Sequence, residues 1–169
     1  MFSKSSKMIG MSRNDSIRFN SQSFQWKAVV KYLGIMLDSK LLFKHHIDYA
    51  LKKANAVCFS TLYCLLSRKS HVTVDSKIRI YKSYIRPIFT YGCQVFANTA
   101  KCHMKKLQLL QNKILRMILN IKWDDFVPTS SVHDSAKVPT ISEFIKRLTD
   151  NFYKKIINHP NTNYASYGQ

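Results

Sequence analysis

Asp124 and Asp125 are the residues of this chain whose types and spacing come closest to a catalytic centre. Paired carboxylates can bind the metal ions that drive hydrolysis or nucleotidyl transfer. In a polymerase-like site such a pair sits between strands and is joined by a third carboxylate, whereas this pair follows a helical pattern and precedes Pro128. We therefore predict that the two acids are loop and cap residues, and that the chain holds no catalytic centre and no metal site.

The histidines and cysteines do not suggest a metal site or a nucleophile either. His45 and His46 are adjacent, so on a helix their side chains diverge by about 100° and cannot readily chelate one ion. No C-x-x-C spacing occurs among the cysteines, which are Cys58, Cys64, Cys93 and Cys102. Buried free thiols are the expected state of these side chains. The chain also lacks a Walker loop, a G-x-S-x-G elbow and an H-E-x-x-H motif.

Charge is the strongest chemical signal. The 169 residues include 27 Lys+Arg against 9 Asp+Glu, a net charge of +18. Such an excess repels itself in a compact state and favours a polyanionic partner, nucleic acid before a membrane. No run approaches the roughly 18 apolar residues of a membrane span, and the first residues lack the apolar centre of a secretory signal. The sequence predicts an intracellular protein, nuclear or cytoplasmic, that is neither secreted nor bound to a membrane.

Short strand patterns fill the first part of the chain, residues 1–38. A polar turn signal at residues 13–16 lies between two short runs and predicts a hairpin. The apolar run from Ala28 to Leu37 contains Gly34, for which we expect a β-bulge or a close backbone approach. At Asp38 the pattern changes from strand-like to helical.

Beyond Asp38 the apolar residues recur every three or four positions, which predicts amphipathic helices. The stripe of the first helix is Ile47, Leu51, Ala54, Cys58, Leu62 and Leu65. The stripe of the second, which has a cap signal at Thr73 or Asp75, is Ile78, Tyr81, Ile85, Ile88 and Phe89. Pro87 should kink or interrupt that second helix, and Gly92 should either allow close helix packing or mark a break.

Two further helices complete the pattern. The stripe of the third is Met104, Leu107, Leu110, Ile114, Met117 and Ile121. A loop is expected over residues 124–140, before a fourth helix with Thr140 and Glu143 as a capping box. The stripe of the fourth is Ile141, Ile145, Leu148, Phe152 and Ile156, and a polar, flexible tail should follow His159.

The order of elements predicts an α+β fold, in which a short antiparallel hairpin or sheet remnant precedes a mainly α-helical bundle of about four helices. We divide the chain into residues 1–38 (strands), 39–70 (first helix), 71–158 (remaining helices) and 159–169 (tail). A two- or three-stranded remnant is marginal by itself, so the helical part should be the stable portion.

Four segments resemble, in order, the region after the catalytic palm in reverse transcriptases of jockey-like non-LTR retrotransposons. They are "VKYLGIMLDSKLLFKHHI", "KIRIYKSYIRPIFTYGCQVF", "LQLLQNKILRMILN" and "VPTISEFIKRL…YKKIINHPN". The resemblance covers residues 4–161 and implies a fragment of an RNA-directed DNA polymerase. It implies that Tyr32, Leu33 and Gly34 form a primer-grip-like hairpin, that residues 39–70 are thumb-like, and that residues 71–158 form a connection region. The family's metal-binding aspartates, and the magnesium they hold, are then expected upstream of Met1, with no cofactor in this chain.

A duplex-gripping segment should neutralise phosphates with Lys and Arg and read few bases. The expected partners are an RNA template and RNA/DNA or DNA duplex, bound without sequence preference, together with the rest of a reverse transcriptase. The candidate nucleic-acid-binding residues are Lys31, Lys44, His45, Lys52, Lys53, Lys82, Arg86, Lys105, Lys106, Lys113 and Arg116. For each of them an ordinary solvated helix face is the alternative.

Three aromatic residues around Pro87, namely Tyr84, Phe89 and Tyr91, either stack on bases or belong to the core, and we favour the core. Two other functions stay open for the whole chain. It could be a basic helical module that binds acidic proteins, or a decayed remnant of an element without a selected function.

Overall fold

The β-strands form two antiparallel pairs near the start of the chain. A computed structural model of the protein describes residues 17–19, 22–24, 27–122 and 124–157, so the expected turn at residues 13–16 and the expected tail after His159 lie outside the described residues. The strands are β1 (Ile17–Phe19), β2 (Gln22–Phe24), β3 (Val29–Tyr32) and β4 (Ile35–Asp38). β1 pairs with β2, and β3 pairs with β4, as separate two-stranded sheets.

Leu33 and Gly34 form the turn between β3 and β4. Both residues have positive φ, 44° at Leu33 and 83° at Gly34, and they lie between Tyr32 and Ile35, which pair with each other across the hairpin. A two-residue turn of this kind matches the twist of the flanking strands. The expected bulge at Gly34 is therefore wrong, and the close neighbour of this glycine is a side chain, the ring of Tyr91. A Cβ atom at Gly34 would lie 2.9 Å from Cε1 of Tyr91.

The first predicted helix is divided by a π-helical turn. It comprises α1 (Lys44–Ala56), the π turn Val57–Thr61 and α2 (Tyr63–Leu66). A π turn holds one residue more than an α turn, so the apolar stripe moves by one position beyond it. The prediction of Leu65 in the core is accordingly wrong: Leu65 is 39% exposed, whereas Leu66 is fully buried.

The second predicted helix also contains a π turn. Its parts are α3 (Val74–Ile80), the π turn Tyr81–Ile85 and α4 (Arg86–Thr90). The predicted cap at Thr73 is confirmed, because its side-chain oxygen accepts a hydrogen bond from the amide of Ser76. Pro87 lies in the first turn of α4, directly after the π turn, so the predicted interruption occurs at the place where the proline removes a backbone donor.

Gly92 begins the next element, α5 (Cys93–Phe96), with a φ of 67°. The expected break is confirmed, whereas the residue that approaches Gly92 closely belongs to a strand and not to a helix. A Cβ atom at Gly92 would lie 2.5 Å from Cδ1 of Ile35, which brings β4 against the start of α5.

The C-terminal part contains α6 (Lys101–Ile118), α7 (Thr129–Ala136) and α8 (Ile141–Ile157). The predicted loop over residues 124–140 is wrong in its second half, where α7 forms. The capping box is confirmed: the amide of Thr140 donates to the Glu143 carboxylate (3.2 Å), and the amide of Glu143 donates to Oγ1 of Thr140 (3.3 Å).

The hydrophobic core lies between the helices and confirms the α+β class with its helical majority. α1 packs against α4 and α6, while α6 also packs against α3, α7 and α8. The fully buried core side chains include Ile47, Leu66, Ile85, Phe89, Leu107, Ile114, Leu115, Ile118 and Ile141. Ile35 and Leu37 of β4 pack against the edge of this core, so the hairpin is covered on one side by helices.

Candidate nucleic-acid interface

The β3–β4 turn projects into solvent and is held from below by one side chain. Tyr32 and Leu33 are 63% and 73% exposed. The hydroxyl of Tyr91 donates a 2.7 Å hydrogen bond to the carbonyl oxygen of Leu33, and its ring lies against Gly34. Of the three predicted primer-grip-like residues, Tyr32 at the end of β3 and Leu33 in the turn are thus exposed, while Gly34 is half-buried. Sequence reasoning did not identify Tyr91 as the support of the turn, although the glycine at position 34 signalled a close neighbour.

Asp38 fixes the joint between β4 and α1. Its carboxylate accepts hydrogen bonds from the amides of Lys40 (3.1 Å), Leu42 (3.0 Å) and Phe43 (2.8 Å). The amide of Leu42 contributes most to lowering the pKa of Asp38, burial opposes it, and the amides of Phe43 and Lys40 lower it further. Leu41 and Phe43 have positive φ values of 51° and 57°. The carboxylate thus stabilises a tight connection that these residues disfavour by themselves.

A cleft of about 390 Å³ lies between the hairpin, α1 and α4, and we call it the hairpin cleft. It is lined by Lys31, Gly34, His46, Tyr49, Ala50, Lys53, Pro87, Ile88 and Tyr91. Two ammonium groups and two phenol rings therefore share one concave surface. The Nζ atom of Lys31 lies 5.4 Å from the ring centroid of Tyr49, a cation–π distance that links β3 to α1.

His46 forms the buried wall of the hairpin cleft. Its Nδ1 atom accepts a 3.5 Å hydrogen bond from the amide of Met36, and its ring centroid lies 5.1 Å from that of Phe96. Burial lowers the pKa of His46, an effect that the nearby carbonyl of Tyr91 opposes in part. His45, the preceding residue, is exposed. The prediction that the two histidines diverge is confirmed, and His46 serves as a neutral structural link.

The exposed face of α1 continues the cationic surface beyond the hairpin cleft. Tyr49 lies four residues after His45, Lys52 and Lys53 lie three and four residues after Tyr49, and all four residues are exposed. Lys44 is exposed at the start of the same helix. Within the described residues, neither Lys52 nor Lys53 makes a hydrogen bond or an ion pair. Their charges are therefore available to a partner.

Other predicted cations are engaged within the protein. Lys106 forms an ion pair with Asp48 at 3.0 Å, and Nζ of Lys113 lies 4.6 Å from the ring centroid of Phe59. Lys82 donates to the carbonyl of Lys137, Arg116 donates to the carbonyl of Val127, and Arg86 stacks 4.0 Å from the ring centroid of Phe144. Lys105 is exposed on α6, away from the hairpin cleft. The structure thus brings Lys31 and Lys53 together and leaves this second group elsewhere.

The aromatic residues around Pro87 divide between core and surface. Phe89 is fully buried, as expected for a core residue. The same expectation is wrong for Tyr84 and Tyr91, which are 65% and 55% exposed. Tyr84 lies within the π turn and Tyr91 directly follows α4, so the π turn and Pro87 change which side chains face the core. Tyr91 lines the hairpin cleft, and Tyr84 does not.

The adjacent acidic residues occupy a loop of the described chain. Asp124 and Asp125 are exposed between α6 and α7, and Oδ2 of Asp125 accepts a 2.7 Å hydrogen bond from the amide of Lys122. This confirms their prediction as loop residues, whereas neither caps a helix, since the N-cap of α7 is Pro128. In residues 27–122 and 124–157, no three His, Cys, Asp or Glu side chains converge in a way that could hold a metal ion.

The four cysteines are free thiols, two of them buried and two exposed. Cys58 and Cys93 are buried free thiols as predicted, and burial raises the pKa of Cys58 to about 12. Burial is wrong for Cys64 and Cys102, which are exposed free thiols because they lie on the outer faces of α2 and α6. Among the helices described, none is both long and apolar enough to cross a bilayer.

The curated relatives of this chain include several RNA-directed DNA polymerases of mobile elements. The chain is 31% identical over 131 residues to a probable RNA-directed DNA polymerase from transposon X-element of Drosophila melanogaster, which covers 78% of the chain and 14% of the relative. It is 30% identical over 146 residues to the RNA-directed DNA polymerase from mobile element jockey of the same species, over 86% of the chain and 16% of the relative. The jockey polymerase of Drosophila funebris is 31% identical over 132 residues.

The chain therefore spans only about a seventh of the length of the curated relatives it matches. No protein-family model and no solved structure matches the chain.

Proposed function

We propose a function that starts from the family to which this chain belongs, the RNA-directed DNA polymerases of jockey-like non-LTR retrotransposons, of which it represents one segment. In this proposal the segment is not catalytic by itself. It holds the sugar–phosphate backbone of a template–primer duplex, RNA/DNA or DNA, without sequence preference. The remaining parts of a reverse transcriptase would be its protein partners, and the nucleus or the cytoplasm its location.

The observation that carries this proposal is the convergence of charge at the hairpin cleft. Lys31 on β3 and Lys53 on α1 line the same cleft, next to the exposed turn at Leu33 and Gly34. The exposed face of α1 extends this surface through His45 and Lys52. Rows of ammonium groups on a rigid element neutralise phosphates and release counterions, which gives affinity without base readout.

The two tyrosines of the hairpin cleft suit the same ligand. Tyr49 and Tyr91 present phenol rings beside the lysines, and rings can stack on ribose or on an unpaired base at the end of a duplex. Because the hydroxyl of Tyr91 already binds the Leu33 carbonyl, the ring is held in place before any ligand arrives.

A magnesium ion, which polymerase chemistry in this family requires, does not fit the residues present. Asp124 and Asp125 lie in an exposed loop, and Asp125 is used to cap the amide of Lys122. No third carboxylate joins them in the described ranges. We accordingly derive no catalytic step for this chain.

The test is a titration of RNA/DNA hybrids and DNA duplexes of several unrelated sequences at increasing salt. The proposal predicts similar affinities for all sequences and a logarithmic affinity that falls against log salt by about 0.7 to 0.9 per phosphate contact. Binding that ignores salt, or that is absent near physiological salt, contradicts it. The same preparation should incorporate no deoxynucleotide on a primed RNA template, and incorporation by a clean sample would overturn the non-catalytic assignment.

A further inference from the structure

A second concave surface lies between α6 and α8. It has a volume of about 770 Å³, and we call it the α6–α8 groove. Its lining comes from Ala97, Asn98, Thr99, Lys101, Met104, Lys105, Gln108, Ser142, Ile145, Lys146, Thr149 and Asp150. None of these residues lines the hairpin cleft, so the two surfaces are independent sites.

The two helices run in opposite directions along this groove. Nε2 of Gln111 donates to the carbonyl of Pro139 (3.0 Å), and three residues earlier Oε1 of Gln108 accepts from the amide of Ile141 (2.9 Å). The hydrogen bond at Gln108 closes one end of the groove. From there to Lys101 the wall is about 10 Å long, at the helical rise of about 1.5 Å per residue. That length accommodates roughly two turns of another helix.

The floor of the groove is apolar and its rim is cationic. Met104 is partly buried, Ile145 is buried, and both pack against the core, while Ala97 completes the floor. Lys101 and Lys105 stand four residues apart on α6, and Lys146 faces them from α8. All three lysines are exposed, and within the described residues none of them makes an ion pair. Asp150 is the one acidic residue in the lining.

This combination argues against two possible occupants. A second copy of this chain would bring a net charge of +18 towards the lysine rim. A nucleic acid could use the lysines, but its sugar–phosphate backbone carries no aliphatic side chain to cover the apolar floor between them. A ligand that uses both parts of the groove must offer carboxylates at its edges and aliphatic side chains between them.

We propose that the α6–α8 groove is a docking site for about two turns of an acidic amphipathic helix from a protein partner. Apolar side chains of that helix would rest on Met104 and Ala97, as in other helix-in-groove interfaces, and its carboxylates would face Lys101, Lys105 and Lys146. Methionine suits such a floor because its flexible thioether adapts to different side chains. This inference goes beyond duplex binding and does not depend on it.

The probe is a fluorescein-labelled peptide of about four helical turns, with leucines along one face and glutamates on both flanks of that face. The control peptide has the same composition in an order that spreads the leucines around the helix. The full chain should bind the first peptide and bind the control roughly tenfold more weakly or not at all, because only the first can fill the apolar floor.

Three variants locate the site. Lys105→Glu and Lys146→Glu should each weaken peptide binding roughly fivefold or more through charge reversal at the rim, and Met104→Gln should weaken it through the floor. Lys53→Glu, which makes the same charge change in the hairpin cleft, should leave peptide binding within about twofold. Circular dichroism checks that each variant is folded.

Three results would overturn the inference. They are equal binding of both peptides, equal weakening of peptide binding by Lys53→Glu and Lys105→Glu, or groove variants that weaken the binding of duplex but not of peptide. Because Lys53→Glu affects the hairpin cleft alone, a failure of duplex binding and a failure of peptide binding appear in different variants and remain distinguishable.

Discussion

The hairpin cleft and the helical core around α6 are built in different ways. α6 is fixed by fully buried aliphatic side chains, such as Leu107, Ile114 and Ile118. The hairpin and its joint to α1 are fixed by hydrogen bonds to backbone, by residues with positive φ and by close approaches at glycines. Apolar packing supplies most of the stability of a domain, whereas unfavourable backbone geometry persists only where the surroundings impose it.

This difference separates stability from function in a testable way. Changes in α6 should unfold the protein without a specific effect on ligand. Changes at the hairpin should alter duplex binding while the core stays folded. The largest effect on stability is expected in the core, and the smallest at the joint between the hairpin and α1.

The largest effect is expected from a cavity in the core. Ile114→Ala removes a fully buried side chain and should lower the free energy of unfolding by about 2 to 4 kcal/mol, through lost burial and the cavity left behind. Leu109→Ala on the same helix is the control, because Leu109 is 59% exposed, and it should change stability by less than about 0.5 kcal/mol. Urea denaturation measures both values. Equal effects would mean that α6 is not packed as described.

Gly34→Ala should have the next largest effect, centred on the hairpin. The new residue would hold a φ of 83°, at a cost of about 1 to 2 kcal/mol, and its Cβ would press on the ring of Tyr91 at 2.9 Å. Duplex affinity should fall more than global stability does. In a Tyr91→Ala background the steric part should vanish and the backbone part should remain, which a double-mutant cycle resolves. Strict additivity of the two substitutions would contradict the contact.

Tyr91→Phe tests the support of the turn with a smaller change. It removes the 2.7 Å hydrogen bond to Leu33 and keeps the ring, so the hairpin should lose about 1 kcal/mol of local stability. Amide hydrogen exchange in β3 and β4 should quicken, while exchange in α6 stays unchanged. Tyr84→Phe is the matched control, since Tyr84 is exposed and makes no hydrogen bond within the described residues. Faster exchange across the whole chain would place Tyr91 in the global core instead.

The smallest effect is a pH dependence of the joint between hairpin and α1. Burial lowers the pKa of His46 from 6.5, so the unfolded chain binds this proton more tightly than the folded chain does. The contribution of His46 to the free energy of unfolding is therefore fully present above pH 6.5 and is lost as the pH falls below that value. Asp38 adds a second loss only below pH 3.8, because its pKa is lowered from that value.

Urea midpoints between about pH 7.5 and about pH 5 measure the first of these losses. His46→Phe should flatten the curve in this window, whereas Asp38→Asn should not. A wild-type curve that rises on acidification from pH 6.5 would contradict the buried neutral imidazole.

The same contrast explains which features could be predicted from sequence. The stripe of α6, the cap at Thr73 and the Thr140–Glu143 capping box depend on residues three or four positions apart, and these local patterns were read correctly. The π turns could not be predicted, because one additional residue in a helical turn does not change the residue types that form the apolar stripe. α7 could not be predicted because contacts with residues far away in sequence stabilise it. For example, Nε2 of His133 on α7 lies 2.9 Å from Oδ1 of Asn112 on α6.

The site was predictable only in part, for the same reason. The turn at residues 32–34 could be identified by resemblance, but its support, Tyr91, lies 58 residues further along the chain. Lysine positions gave no indication of which charges would be used internally. Lys106 is paired with Asp48, again 58 residues away, whereas Lys53 faces the hairpin cleft. Net charge indicated the class of partner, and only the tertiary arrangement separates the two cationic surfaces.

The most direct test of the central claim compares two charge-matched double variants in duplex binding. Lys31→Glu with Lys53→Glu reverses the charge of the hairpin cleft, and Lys154→Glu with Lys155→Glu makes the same net change on the exposed end of α8. Affinity for an RNA/DNA hybrid is measured over a range of salt concentrations. The hairpin variant should bind roughly tenfold or more weakly with a salt slope reduced by about two phosphate contacts, and the α8 variant should stay within roughly twofold of wild type. Equal loss in both variants would mean that net charge alone, and not the hairpin cleft, binds the duplex.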